Sequence, residues 1–394
     1  CAPTARGFAV FGYVPDFHHT LIDWDAAVTL TSHLSFFSLQ PVADGSLNGL
    51  DRLRTVLAPE GGLMQALGKL PEEAEAPTIL LTIGGAGRSE HFPKVTGTKK
   101  ARRQLARKLF SVFQEFPVLG GVDFDWEAPT TANQWKDLGK LAQEVKTALA
   151  ERTGSPAPPV LTMTFHPKTG AVTAFGGIRG KKSEISFVDL FDFCHAMAYT
   201  HFDGDRRHST ASMDMAAIDE WTGHGLPTSK LTLGVPFFGV SRTSGETVSY
   251  RDLVEKEPSV LKQPHLDESP KGVYFVNAES MAAKVRLAGR RSLGGVMLWE
   301  LGQDRPMSAG GSLLPYIFKV AEERRTLWNR LVANCPFSED TAIAGLSGLI
   351  GLYFLKLVVA FQPPGHLLAR KPQGGGAEPA EATERHGEAN SNEK

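Results

Sequence analysis

The stretch Gly120-Gly121-Val122-Asp123-Phe124-Asp125-Trp126-Glu127 carries an acid at every second position. Side chains of a strand alternate between its two faces. Asp123, Asp125 and Glu127 therefore share one face, about 6–7 Å apart at successive steps. Val122, Phe124 and Trp126 share the other face and need an apolar neighbour. Three carboxylates stacked in this way repel one another, which raises at least one pKa toward neutrality. A carboxylic acid that keeps its proton near neutral pH is what general acid catalysis requires. Two plainer readings stand beside this one. A solvated strand face would carry three acids, but such a face normally interleaves Lys, Arg or Thr, and this run has none. Clustered carboxylates also suit a hard divalent cation.

Working outward, seven further apolar, β-rich segments recur at 8–14, 33–39, 78–84, 160–165, 191–199, 231–237 and 295–300. Amphipathic helical patterns separate them. In 99–116, Leu105, Leu109, Val112 and Phe113 fall at helical spacing, and in 133–152 Leu138, Leu141, Val145 and Leu149 do the same. Eight strands alternating with helices predict a parallel sheet, which closes most naturally as an α/β (β/α)8 TIM barrel. A doubly wound open sheet is the alternative, but no glycine-rich phosphate loop opens the first unit. In a barrel the site lies at the C-terminal ends of the strands. The acidic strand is the fourth and ends at Glu127. Tyr199 ends the sixth and Trp299-Glu300 the eighth, so all three ends face one mouth.

The predicted barrel domain runs over 8–332. Between strands seven and eight, 238–293 exceeds one loop and one helix and has room for a small inserted subdomain, with short strands at Ser249-Tyr250 and 272–276. A linker follows at 333–341. The segment 342–361 is almost wholly apolar, and 20 helical residues span about 30 Å. It reads as a membrane anchor, with the barrel secreted or on the extracytoplasmic side, or else as an extra helix docked under the barrel with Lys356 reaching water. The Gly-, Glu- and Ala-rich tail 362–394 carries no hydrophobic pattern and is predicted to be disordered.

The chain has 394 residues, 42% hydrophobic and 22% charged, with a formal net charge of -1. That balance describes an ordinary globular protein and gives no reason to expect a nucleic-acid partner. The three cysteines, Cys1, Cys194 and Cys335, form neither a disulfide framework nor a C-x-x-C metal pair. The histidines lack metal spacing, so no metal and no cofactor is expected.

Taken with its neighbours, the acidic strand resembles the signature of glycoside hydrolase family 18, the chitinases and chitinase-like proteins. The resemblance covers roughly residues 8–305. The family's D-G-x-D-x-D-x-E strand stands here as 120–127. Its S-x-G-G motif stands as Thr82-Ile83-Gly84-Gly85, and M-x-Y-D as Met197-Ala198-Tyr199-Thr200. G-x-P-x-Y-G stands as Gly234-Val235-Pro236-Phe237-Phe238-Gly239, and G-G-x-x-x-W as Gly294-Gly295-Val296-Met297-Leu298-Trp299.

The resemblance implies hydrolysis of β-1,4 bonds beside N-acetylglucosamine, in chitin or chito-oligosaccharides, with the substrate's own acetamido oxygen as nucleophile. It implies Glu127 as general acid and base. Asp125 orients the acetamide, Asp123 shares a proton with Asp125, and Tyr199 donates its hydroxyl to the acetamido oxygen. It implies Trp299 under the sugar ring, with Met197, Tyr13 and Phe36 as further substrate-lining candidates; Met197, Tyr13 and Phe36 fit barrel packing as well. Four positions depart from the family: Gly120 for the first Asp, Thr200 for the Asp after Tyr199, Phe238 for a Tyr, and Ala86 for a Trp after the glycine pair. Asp203 or Asp205 is near enough in sequence to substitute for the missing strand-six Asp. Cleavage within the chitobiose core of N-glycans and sugar binding without turnover are the competing readings. A monomer is expected.

Overall fold

The computed structural model describes residues 7–151, 158–166, 187–200, 207–265 and 267–333. Contacts divide the chain into a unit at 1–331 and a unit at 332–394. The first holds the barrel. Of the second, only the end of the helix Leu314–Ala333 is described. The anchor segment 342–361 and the tail 362–394 lie outside the described residues, as do Asp203 and Asp205. Among the described residues no helix is long and apolar enough to cross a membrane.

Eight parallel strands form the barrel: β1 Ala9–Pro15, β2 His33–Pro41, β3 Thr78–Gly84, β4 Leu119–Asp125, β5 Val160–Phe165, β6 Phe193–Ala196, β7 Leu231–Pro236 and β8 Gly295–Trp299. Each pairs with the next in chain order, and β8 pairs with β1, so the sheet closes. Closure leaves no edge among these eight strands. Four strands end earlier than their sequence pattern predicts: β7 at Pro236 and β8 at Trp299 by one residue, β4 at Asp125 by two and β6 at Ala196 by three, so Glu127 and Tyr199 stand just beyond the ladder.

Alternation along the strands sorts the side chains into two apolar clusters. Val10, Val14, Ile79, Leu81, Val122, Phe124, Leu161 and Met163 belong to the large cluster between sheet and helices. Ala9, Phe11, Tyr13, Phe37, Leu80, Met197, Tyr199 and Met297 form a smaller cluster inside the barrel. The helix Lys99–Glu115 buries Leu105, Leu109, Val112 and Phe113 against the outer cluster. The helix Ala132–Ala150 buries Leu138, Leu141, Val145 and Leu149, and starts with a capping box between Thr131 and Gln134. Both stripes match the predicted helical faces.

After β7 the chain builds a three-stranded antiparallel sheet from Phe238–Ser241, Thr247–Ser249 and Val273–Tyr274, with Phe238–Ser241 in the centre. Strands were expected at Ser249-Tyr250 and 272–276. Ser249 ends a strand as expected, but Tyr250 starts the helix Tyr250–Lys256, because the Ser249 hydroxyl caps that helix through the Asp252 N–H.

Candidate active site

Asp123 and Asp125 point into the barrel, and Val122, Phe124 and Trp126 point out of it. Trp126 stacks on Phe92 with ring centroids 5.0 Å apart and 9° between planes. Strand register places Thr82 and Thr162 level with Asp123, and Gly84 and Thr164 level with Asp125. The acid trio therefore stands in layers, as side chains inside a barrel do.

The deepest acid is caged by hydroxyls. Asp123 Oδ1 accepts from Thr162 Oγ1 at 2.7 Å and from Thr164 Oγ1 at 3.3 Å. Its Oδ2 accepts from Tyr13 at 2.7 Å and from Thr82 at 3.2 Å. Burial raises its pKa, and the four hydroxyls pull against that rise. Both of its oxygens accept from hydroxyl donors, and its charge is one of those that raise the Asp125 pKa. These bonds also involve Tyr13, which the sequence leaves between a sugar contact and barrel core. Tyr13 is fully buried, and its hydroxyl is bonded to Asp123 and within 2.7 Å of Thr164 Oγ1.

Asp125 has a different environment. Its Oδ1 is buried and has no hydrogen-bond partner among the described residues. Its pKa is raised well above the ordinary carboxylate value, by burial first and then by the charges of Glu127 and Asp123. An unpartnered buried oxygen is costly, and a ligand N–H that reaches it removes the cost.

Glu127 is exposed at the rim. Partial enclosure raises its pKa, and a hydrogen bond from the Ala86 N–H opposes the rise. Its own N–H donates to Ser89 Oγ at 3.0 Å. The loop after β3 thus grips the strongest acid candidate, and two glycines let it approach. A Cβ on Gly84 would stand 2.3 Å from the Asp125 carbonyl oxygen, and one on Gly85 would stand 2.1 Å from the Phe37 ring. Both glycines also hold positive φ, +100° and +98°.

Tyr199 lies in the inner cluster, and among the described residues its hydroxyl donates to Met297 Sδ at 3.7 Å, a weak bond. Burial and then the charges of Asp125 and Glu127 raise its pKa well above 10.0, so it stays a neutral donor. Trp299 is half-buried at the end of β8, with its ring 4.6 Å from Phe37 and 5.4 Å from Tyr13. Met197 packs in the same inner cluster.

Phe36 is not part of this group. It belongs to the outer cluster, while Phe37 meets Trp299. The parity of β2 is the reverse of that expected, with Phe37 inward and Phe36 outward. Adjacent aromatics gave no clue, but Ser35 bonding to Thr82 inside the barrel marks the odd positions of this strand as inward. Glu300, expected on the rim with Trp299, is buried and accepts from the Gly302 N–H, with His18 Nδ1 2.7 Å away. Thr200 directs its hydroxyl to the Tyr199 carbonyl at 2.6 Å, so that hydroxyl does not reproduce the carboxylate of the family motif. Sequence reasoning missed Ser89, Thr162, Thr164 and Phe37. The two threonines had a legible signal, since they alternate along β5 with the outward Leu161 and Met163.

A closed eight-stranded barrel with stacked carboxyls at its mouth defines a class of barrel hydrolase sites. The model for glycosyl hydrolases family 18 matches residues 10–304, and the chain belongs to that family. Among curated relatives, Nod factor hydrolase protein 1 of Medicago truncatula is 27% identical over 179 residues, 42% of this chain and 45% of the relative. Chitinase 1 of Aphanocladium album is 22% identical over 286 residues, 62% of this chain and 66% of the relative. The chain thus spans about half to two thirds of the length of these relatives. A chitinase from Bacteroides thetaiotaomicron has the same fold, with a TM-score of 0.62 at 18% identity over 80% of this chain and 97% of that one. So does a family 18 chitinase from Cycas revoluta in complex with (GlcNAc)3, at 0.61 and 18% over 80% and 99%.

Proposed function

We propose that the protein hydrolyses β-1,4 glycosidic bonds next to N-acetylglucosamine, in chitin or chito-oligosaccharides, by a retaining mechanism in which the substrate acetamide is the nucleophile. The observation that carries this reading is the contrast between Asp123 and Asp125. One is caged by hydroxyls, and the other keeps a buried, unpartnered oxygen below a rim acid whose pKa partial enclosure raises. The names of the relatives, a Nod factor hydrolase and chitinases, support the substrate class.

Glu127 gives its proton to the glycosidic oxygen as the C1–O bond breaks. The acetamido oxygen bonds to C1 and forms an oxazolinium ion. Asp125 accepts the acetamido N–H and offsets the new positive charge. Tyr199 donates to the acetamido oxygen, and Trp299 lies against the apolar face of the ring. A water then gives its proton to Glu127 and bonds to C1, releasing the acetamide with retained configuration.

Chitotriose bearing a fluorogenic leaving group tests this. Turnover that disappears in Glu127→Gln supports hydrolysis. Binding without turnover, unchanged by that substitution, supports a sugar-binding protein instead, the reading that the Thr200 departure favours. Product analysis on defined chito-oligosaccharides and a chitobiose-core glycopeptide separates chitin-type cleavage from N-glycan cleavage.

A further inference from the structure

The paired ladder of β3 and β4 ends at Gly84 and Asp125. Glu127 lies two residues further on, where no backbone carbonyl of β3 is left to receive its N–H. Ser89 Oγ receives it. The same hydroxyl turns its proton toward the carbonyls of Gly85 at 3.0 Å and Asp125 at 3.2 Å, and the Gly85 N–H donates to the Asp125 carbonyl at 2.6 Å. Among the described residues, the Ala86 N–H at the Glu127 carboxyl and the Ser89 hydroxyl at the Glu127 N–H both belong to this one loop.

The loop is braced from outside. Arg88 donates to Asp16 Oδ1 at 2.9 Å and to the Ser38 carbonyl at 2.9 Å, and its guanidinium stands 5.5 Å over the Phe37 ring. Arg52 holds the other oxygen of Asp16. Ser89 is therefore carried on a loop tied to the ends of β1 and β2.

We propose that Ser89 is a positioning residue for Glu127: its hydroxyl oxygen continues the hydrogen-bonded ladder past the last backbone pair and sets where the Glu127 carboxyl stands above Asp125. An exposed glutamate left to itself samples several rotamers. Fixing its backbone and offering one N–H to its carboxyl limits that sampling. The inference rests on Glu127 being the acid and base of the proposed reaction.

Ser89→Ala removes the acceptor. Ser89→Cys keeps the volume but offers only a weak one, and Ser89→Thr keeps the hydroxyl. Each is assayed on the fluorogenic chitotriose for kcat, KM and pH profile, beside its thermal unfolding and beside Glu127→Gln. In Ser89→Ala and Ser89→Cys, kcat is expected to fall between about tenfold and a hundredfold, the scale of a misplacement of about 1 Å, with KM nearly unchanged. A carboxyl that drifts from the Ala86 N–H loses a bond favouring its ionised form, so the alkaline limb moves to higher pH. Ser89→Thr recovers the activity. Should Ser89→Ala fail to fold, Ser89→Cys decides. Wild-type kcat in the folded variants overturns the proposal, as does a loss of activity that only follows a loss of folded protein with the pH profile unmoved. In both of those cases an inactive Glu127→Gln leaves the hydrolase reading standing, whereas an active one removes it.

Discussion

Lys284→Met is expected to destabilise the barrel by about 3–5 kcal/mol at neutral pH, the usual cost of removing one partner from a buried ion pair. Lys284 lies on the helix Ala278–Arg290 and Asp214 on the helix Ala211–Gly223. Their side chains are 6% and 0% exposed. Lys284 Nζ donates to Asp214 Oδ2 and to the Ser209 carbonyl, while Asp214 Oδ1 has no partner among the described residues. Removing the ammonium leaves a carboxylate in a dry site. Unfolding entropy of about 2.1 cal/mol/K per residue over roughly 300 residues is about 0.6 kcal/mol/K, so the melting temperature falls by about 5–8 °C.

The pH dependence gives a second check. Burial pushes the Asp214 carboxyl up to about 6 even with Lys284 beside it. A folded-state value above the unfolded one means that the fold prefers the protonated form. The stability is therefore greatest below the unfolded value of about 4 and is lost as pH rises through the folded one. Without Lys284 the folded value climbs further, so the variant loses more at pH 7 than at pH 5. Asp214→Asn in the Lys284→Met background restores most of the loss at pH 7, since no buried charge remains. Thermal unfolding by circular dichroism at both pH values reads this out. An unchanged melting temperature at pH 7, or equal losses at pH 5 and 7, would refute the reasoning.

Four further outcomes are expected. Asp125→Asn abolishes turnover yet raises the melting temperature at neutral pH by a few degrees, because it removes a buried charge that Glu127 and Asp123 repel; a lower melting temperature contradicts this. Phe37→Leu weakens the edge contact that steadies Trp299 and raises KM on chitotriose several-fold, with a smaller effect on kcat; a kcat effect larger than the KM effect tells against that role. Activity on the fluorogenic substrate extends to higher pH than an ordinary glutamic acid allows, because enclosure raises the Glu127 pKa and the acid keeps its proton longer; an alkaline limb at or below about pH 4.5 is inconsistent with it. EDTA leaves turnover unchanged, because both Asp123 oxygens already accept hydroxyl protons; activity lost on chelation and restored by Mg²⁺ points to carboxylate-bound metal instead.

Much of the barrel was legible in the chain because its parts are local. Period-two alternation in 120–127 named which acids face inward, and helical spacing named the buried stripes of Lys99–Glu115 and Ala132–Ala150. These patterns depend only on residues a few steps apart. Contacts between strands distant in sequence were not legible. Phe36 and Phe37 are both aromatic and adjacent, so only the pairing of β2 with β1 and β3 decides which one enters the barrel. Tyr13 read equally as sugar contact or as core until the hydroxyls of β5 and the carboxyl of β4 closed around it. Ser89 carries no mark in its own neighbourhood; it matters because the β3 loop folds back onto the end of β4. Local periodicity sets which face a side chain takes. Closing the sheet sets which partner waits there, and that partner separates one carboxyl held quiet from another left open for a ligand.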